Sequence, residues 1–153
     1  LRNEFEVPED DERFSVIEAD GADFVRAPPQ PFNVLMVDGY DHKGLPPALS
    51  TQRFYEDCYA ALAVDGLLVV NLHADHRGYQ QQIERVQRCF HDAFLLVEDK
   101  REGNSIVFAQ KGNPLQMLSP GPLRRPPAIE DKVWRSFEGP FARIMSALKE
   151  QGG

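Results

Sequence analysis

Cysteine is scarce in this sequence: Cys58 and Cys89 are the two among 153 residues. Both fall in helical patterns, which speaks against a disulfide-stapled scaffold and predicts free, buried thiols in a reducing compartment. No apolar run approaches the ~20 residues that a membrane-spanning helix needs. No N-terminal stretch has the order of a secretory signal, so the expected setting is cytoplasmic, with no membrane partner. Basic residues are in deficit, with 17 Lys and Arg against 24 Asp and Glu and a formal net charge of -7. They are also scattered, whereas a nucleic-acid surface needs them clustered; no nucleic-acid partner is expected. A negative balance suits a cationic small molecule, though it is equally the ordinary state of a soluble protein.

The remaining composition is that of a globular domain, with 42% hydrophobic and 27% charged residues, and the length is enough for one real core. Short apolar runs alternate with helical patterns. Phe14 to Ala19 reads as a strand that ends at Asp20-Gly21, followed by a short helical stretch from Ala22 to Arg26 that stops at Pro28-Pro29. Asn33 to Val37 is a nearly continuous apolar run, as expected of a strand buried on both faces of a parallel sheet. A loop carrying Gly44, Pro46 and Pro47 leads to Ser50 or Thr51, either of which can cap a helix bearing Phe54, Tyr55, Cys58, Tyr59 and Leu62.

Leu67 to Leu72 is a further strand, and Tyr79, Ile83, Val86 and Phe90 recur at helical spacing. Phe94 to Glu98 and Ser105 to Gln110 read as two strands joined by a polar, hairpin-like connection. Proline is dense from Pro114 to Pro127, which predicts an irregular linker before an amphipathic helix using Phe141, Ile144, Met145 and Leu148. The alternation implies an α/β fold with a largely parallel sheet and a closing antiparallel hairpin. The expected division is residues 1–112 for the sheet domain and 113–153 for linker and helix.

Ligands of open α/β sheets bind beyond the C-terminal strand ends. Three such ends here are polar: Asp20, then Asp38 with Asp41 and His42, then His73 with Asp75 and His76. Acidic residues in these places also serve as turn formers and helix caps, and spacing alone leaves both readings open. A metal site built from His42, His73, Asp75 and His76 is a third possibility. It lacks the i, i+4 pairing of common zinc motifs, so no metal is expected.

Four runs, in order, resemble the spermidine synthase family of polyamine aminopropyltransferases. Val-Ile-Glu-Ala-Asp-Gly-Ala-Asp-Phe-Val (16–25) resembles the family's third strand, with its terminal Asp-Gly. Val-Leu-Met-Val-Asp-Gly-Tyr-Asp-His (34–42) resembles the fourth, which ends Asp-Ser-x-Asp-Pro. Leu-Ser-Thr-Gln-Arg-Phe-Tyr (49–55) resembles the start of the following helix, and Leu-Ala-Val-Asp-Gly-Leu-Leu-Val-Val-Asn (62–71) the Leu-Lys-Pro-Gly-Gly-x-Leu-Val strand. The resemblance covers about residues 1–112.

It implies a partial Rossmann-like sheet of the methyltransferase type, whose strand order is 3-2-1-4-5-7-6, here lacking the first two strands. It also implies a reaction in which decarboxylated S-adenosylmethionine, a co-substrate and not a tightly bound cofactor, donates an aminopropyl group to a polyamine such as putrescine. Matching residue by residue, Asp38 falls on the catalytic base and Asp41 on the second acid that holds the amine. Asp20 falls on the contact to the adenine amino group, and Gly21 on a position that lets the backbone approach the ring. Tyr40, between the two acids, lines the amine channel or serves packing.

The sequence departs from the family in three places. The Gly-rich loop after the first strand and the ribose-binding acid after the second are not found. The chain starts at Leu1 and not at a methionine, so it is expected to be a truncated or processed product that binds the donor poorly. The amine-recognition stretch before the last strand, commonly Pro-Thr/Ser-Tyr-Pro-Ser-Gly-like, reads Glu98-Asp99-Lys100-Arg101-Glu102-Gly103-Asn104, and His42 stands where proline is usual.

A small-molecule methyltransferase shares the scaffold but needs no two-carboxylate amine clamp, and a non-catalytic divergent domain is a further alternative. With two strands missing, the Asn33 strand would present a bare apolar edge. The Phe14 strand is then expected to re-pair beside it, or the chain to self-associate there as a homo-oligomer.

Overall fold

The computed structural model describes residues 7–40, 44–91, 93–99, 103–112 and 123–151. Helix α1 (Gly21–Arg26) begins where the Asp20 carboxylate accepts hydrogen bonds from the Ala22 and Asp23 N–H groups, donors that a helix start would otherwise leave unpaired. Strand β1 (Phe32–Val37) follows. A 3-10 turn at Pro47–Ser50 then leads to α2 (Gln52–Ala61), capped by Thr51, whose Oγ1 accepts from the Phe54 N–H at 3.0 Å.

Strand β2 (Leu62–His73) starts directly at the end of α2. Its pairing with β1 is irregular near the start, where Phe32 faces Leu62 but Val34 faces Leu67. The extra residues fold through Asp65, which has a φ of 60°. A Cβ at Gly66 would stand 2.8 Å from the Phe32 carbonyl oxygen and 2.9 Å from that of Ala63, so only glycine fits this bulge. Helix α3 (Tyr79–Phe90), β3 (Phe94–Asp99), β4 (Asn104–Gln110), α4 (Asp131–Ser136) and α5 (Glu138–Gln151) complete the order.

The sheet runs β1-β2-β4-β3. Only β1 and β2 are parallel; β4 is antiparallel to both β2 and β3. The sheet is therefore mixed and not largely parallel, because its last two strands form a hairpin that turns back between β2 and the edge. Its order matches the 4-5-7-6 half of the methyltransferase-type sheet.

The period of two along each strand divides the core. Leu68, Val70 and Leu72 of β2, with Val107 and Ala109 of β4, pack against Tyr55 and Cys58 of α2 and Ile83, Val86 and Phe90 of α3. On the opposite face, Leu95, Val97, Leu67 and Phe108 pack against Ile144, Ala147 and Leu148 of α5. Arg143 of α5 adds an ion pair with Asp99 at 3.0 Å. Phe141 faces away from this contact and joins Trp134 and Phe137 in an aromatic cluster that ties α4 to α5.

Three expectations are corrected. Residues 14–19 form no strand, and among the described residues nothing pairs beside β1 except β2. The Phe14 N–H is taken by the Asp11 carboxylate at 2.7 Å and the Val16 N–H by that of Asp10 at 3.0 Å, so local side chains satisfy the groups a ladder would have used. Nor is β1 buried on both faces: Val34 is 54% and Met36 75% exposed, because α5 packs on β3, β4 and Leu67 of β2 and leaves that face of β1 open. Finally, Cys58 is buried while Cys89 is half-buried, its Sγ accepting from Gln52 Nε2 at 3.0 Å; both are free thiols. The linker residues 113–122 and the hairpin connection 100–102 lie outside the described residues.

Candidate functional site

The C-terminal ends of β1 and β2 lie side by side, with Val37 facing Val70 in the last registered pair. The chain after β1 continues along β2 by side-chain contacts. Asn71 Nδ2 donates to Asp38 Oδ1 at 3.1 Å. Two residues further on each segment, the His73 N–H donates to the Tyr40 hydroxyl at 3.0 Å. The Tyr40 and His73 rings are stacked, with centroids 3.9 Å apart and 8° between planes, and His76 meets Tyr40 edge-on at 5.9 Å. Gly44, with a φ of 107°, brings the returning loop against His76, where a Cβ would stand 3.0 Å from Nε2.

Beneath Tyr40 lies a buried polar chain. Tyr55 donates from its hydroxyl to Gln82 Oε1 at 3.0 Å, and the Gln82 side chain stands near the Tyr40 hydroxyl. Burial pushes the Tyr40 phenol above its usual pKa, and the nearby Asp38 charge adds to this; the bond from the His73 N–H and the nearby Gln82 amide offset part of it. Tyr40 is therefore a neutral phenol held from three sides.

Asp20 and Asp38 are exposed, each just beyond a strand or extended segment. The side chain of Leu49 joins their turns. A Cβ at Gly21 would lie 3.5 Å from Leu49 Cδ2, and one at Gly39 only 2.6 Å from Leu49 Cδ1. The two Asp-Gly turns thus flank one leucine and open on the same end of the sheet. A side chain at Gly39 would have to displace the end of Leu49, whereas at Gly21 nothing in the described chain excludes a side chain. Asp20 Oδ1 receives both capping bonds.

Of the residues singled out from sequence, Asp20, Gly21, Asp38 and Tyr40 come together at this end, while Asp41 and His42 lie outside the described residues. His73 and His76 join them as ring partners of Tyr40, and the His76 Nδ1 accepts from the Gly78 N–H at 3.1 Å. Among the described residues, no group of three or more His, Cys, Asp or Glu is arranged to hold a metal, and no helix is long and apolar enough to cross a membrane. Sequence reasoning missed Asn71 and Gln82. The signal was there: Asn71 interrupts the apolar run of β2, and Gln82 sits among the apolar positions of α3.

Comparison with known proteins agrees with this geometry. The spermine/spermidine synthase domain matches residues 3–100. The polyamine aminopropyltransferase of Neisseria meningitidis serogroup A is 32% identical over 97% of this chain, and that of Chromobacterium violaceum 34% identical over 96%. The chain spans about half the length of these curated relatives, 55% and 56% respectively.

Among solved structures, a spermidine synthase in complex with the transition state analogue AdoDATO superimposes with a TM-score of 0.61 at 24% identity, covering 94% of this chain and 52% of that one. Human methyltransferase-like protein 13 in complex with SAH superimposes with a TM-score of 0.58 at 18% identity, covering 96% and 64%. These two likenesses establish the fold, which both classes share. With the family's domain matched over residues 3–100 of this chain, the chain belongs to the spermine/spermidine synthase family.

Proposed function

We propose that this chain supplies the amine-binding and adenine-binding side of an aminopropyltransferase site, acting on decarboxylated S-adenosylmethionine and a polyamine such as putrescine. The observation that carries this reading is the Asp38 carboxylate at the end of β1, held through Oδ1 by Asn71 with Oδ2 left to a ligand. An amine is protonated at neutral pH and cannot attack in that form. Asp38 takes its proton and orients the lone pair. The nitrogen then bonds to the methylene carbon beside the sulfonium, the C–S bond breaks, and its electron pair leaves on the sulfur of methylthioadenosine.

Asp41 is the second acid of the clamp. Tyr40 lines the amine channel with the part of its ring that His73 and His76 leave uncovered, since its hydroxyl is engaged by the His73 N–H. Asp20 accepts from the adenine amino group through Oδ2 while Oδ1 caps α1. Gly21 gives the ring access, consistent with the lack of any internal reason for glycine there. The Gly-rich donor loop of the family is not found in this sequence, so this chain by itself transfers poorly or not at all. The β1 edge, without a partner strand among the described residues, favours a homo-oligomer.

Calorimetric titration of methylthioadenosine and putrescine, on this chain and on the protein as its gene encodes it, tests the reading. Binding of methylthioadenosine and formation of spermidine by the encoded protein support it. Methyl transfer from S-adenosylmethionine would move the assignment to the methyltransferase class, and binding of neither ligand would leave a non-catalytic domain.

A further inference from the structure

Asn71 is a polar interruption of an apolar strand: Leu67 to Val70 and Leu72 surround it in β2. A half-buried amide in such a place is costly unless both its ends are satisfied. Only one end is. Its Nδ2 donates to Asp38, which also fixes the orientation of the amide, because a carboxylate oxygen accepts and cannot face the carbonyl. The carbonyl Oδ1 is buried without a hydrogen-bond partner. Fold stability alone does not select this arrangement, since an apolar residue of similar size would leave no orphaned oxygen.

What the amide does is immobilise Asp38. The carboxylate is otherwise exposed and joined to no other described donor. Two residues on, the same face of β2 holds Tyr40 through the His73 N–H and ring. The end of β2 is therefore a template for the segment 38–40, and Asn71 is the part of it that acts on the carboxylate.

We infer that Asn71 is the positioning residue of the site, retained against fold stability to hold Asp38 Oδ1 so that Oδ2 alone meets the amine. This rests on the aminopropyltransferase reading above. A positioned base acts through geometry, and small displacements of a reacting group lower the rate without removing the groups that bind substrate.

The test is Asn71→Leu in the protein as its gene encodes it, read by steady-state kinetics and thermal unfolding, with Asp38→Asn as reference. The expected result is a kcat lowered about tenfold or more, KM for the donor within about twofold, and a melting temperature held or raised. Asn71→Asp, which keeps the shape but replaces the donor by an acceptor, lowers kcat as well. Unchanged kcat in Asn71→Leu overturns the inference, as does a fall in melting temperature with loss of methylthioadenosine binding, which marks a structural residue. If Asp38→Asn is slow and Asn71→Leu is not, this inference fails and the aminopropyltransferase reading stands. If the wild-type protein transfers no aminopropyl group, the reading itself fails and the inference falls with it.

Discussion

The Tyr55 hydroxyl donates to Gln82 Oε1 at 3.0 Å between two fully buried side chains, one on α2 and one on α3. Gln82 also stands near the Tyr40 hydroxyl, so the core under the strand ends reaches the loop that carries Asp38. Buried polar groups are inexpensive when paired and costly when orphaned. Tyr55→Phe leaves Gln82 Oε1 without its donor and is expected to destabilise the fold by about 1–3 kcal/mol. The double variant with Gln82→Leu should cost less than the sum of the single changes. Urea unfolding of the three variants measures this, and strict additivity would mean that the bond contributes nothing.

The bare face of β1 leads to a second expectation. Val34 and Met36 are exposed hydrophobic residues on a strand with no charge and no proline, and its outer edge has no described partner. Natural edges are blunted by charge, proline or bulges; the bulge here lies between β1 and β2 and leaves the outer edge untouched. The chain should therefore associate as its concentration rises. Met36→Lys should reduce association in sedimentation velocity while moving the unfolding free energy by no more than about 0.5 kcal/mol. A monomer at all concentrations would remove the β1 edge as an interface.

Much of this was legible in the sequence, for identifiable reasons. The strands at Phe94 and Ser105 and the helix at Tyr79 carry strong local patterns, and the observed elements begin or end within a residue or so of them. The stretch at Phe14 has an equally strand-like pattern yet forms none, because the Asp11 and Asp10 carboxylates take the Phe14 and Val16 N–H groups locally. Asp20 and Asp38 stand out in the sequence because acidic residues after apolar runs are conspicuous. Asn71 and Gln82 do not, because one polar residue in an apolar strand or helix face shows its partner only when distant segments meet. The contact of Leu49 with Gly21 and Gly39 is of the same kind, since nothing local relates these positions.

The thiol of Cys58 gives the fold an alkaline limit. Burial raises it from its ordinary 9.0 to about 12. The folded state therefore holds this proton more tightly than the unfolded state. Below about pH 9 both states keep it and the full stability is present; as pH climbs toward 12 the unfolded chain ionises first and stability is lost. The loss approaches about 1.4 kcal/mol per pH unit for one such group. Burial also raises Tyr55 and adds to the slope above its ordinary 10.0. Urea midpoints at pH 8 and 10.5 measure the effect, and Cys58→Ala should flatten it. In the native protein an alkylating reagent should modify Cys89 before Cys58, whose Sγ lies in the core.

The two duties assigned to Asp20 can be separated by one atom. Its Oδ1 accepts from the Ala22 and Asp23 N–H groups, at 2.8 and 3.1 Å, and this capping role needs only an oxygen. Asn serves as well as Asp at an N-cap. The proposed adenine contact needs a second acceptor, and in Asp20→Asn that place holds an NH2 group facing the adenine amino donor. The substitution is thus expected to leave unfolding within about 0.5 kcal/mol of wild type. It should weaken methylthioadenosine about 10- to 100-fold, the equivalent of one charge-assisted hydrogen bond. Asp20→Ala removes both functions and should lower stability by about 1 kcal/mol as well. Calorimetry beside urea unfolding distinguishes the cases: undiminished binding in Asp20→Asn would confine Asp20 to capping α1 and place the adenine elsewhere.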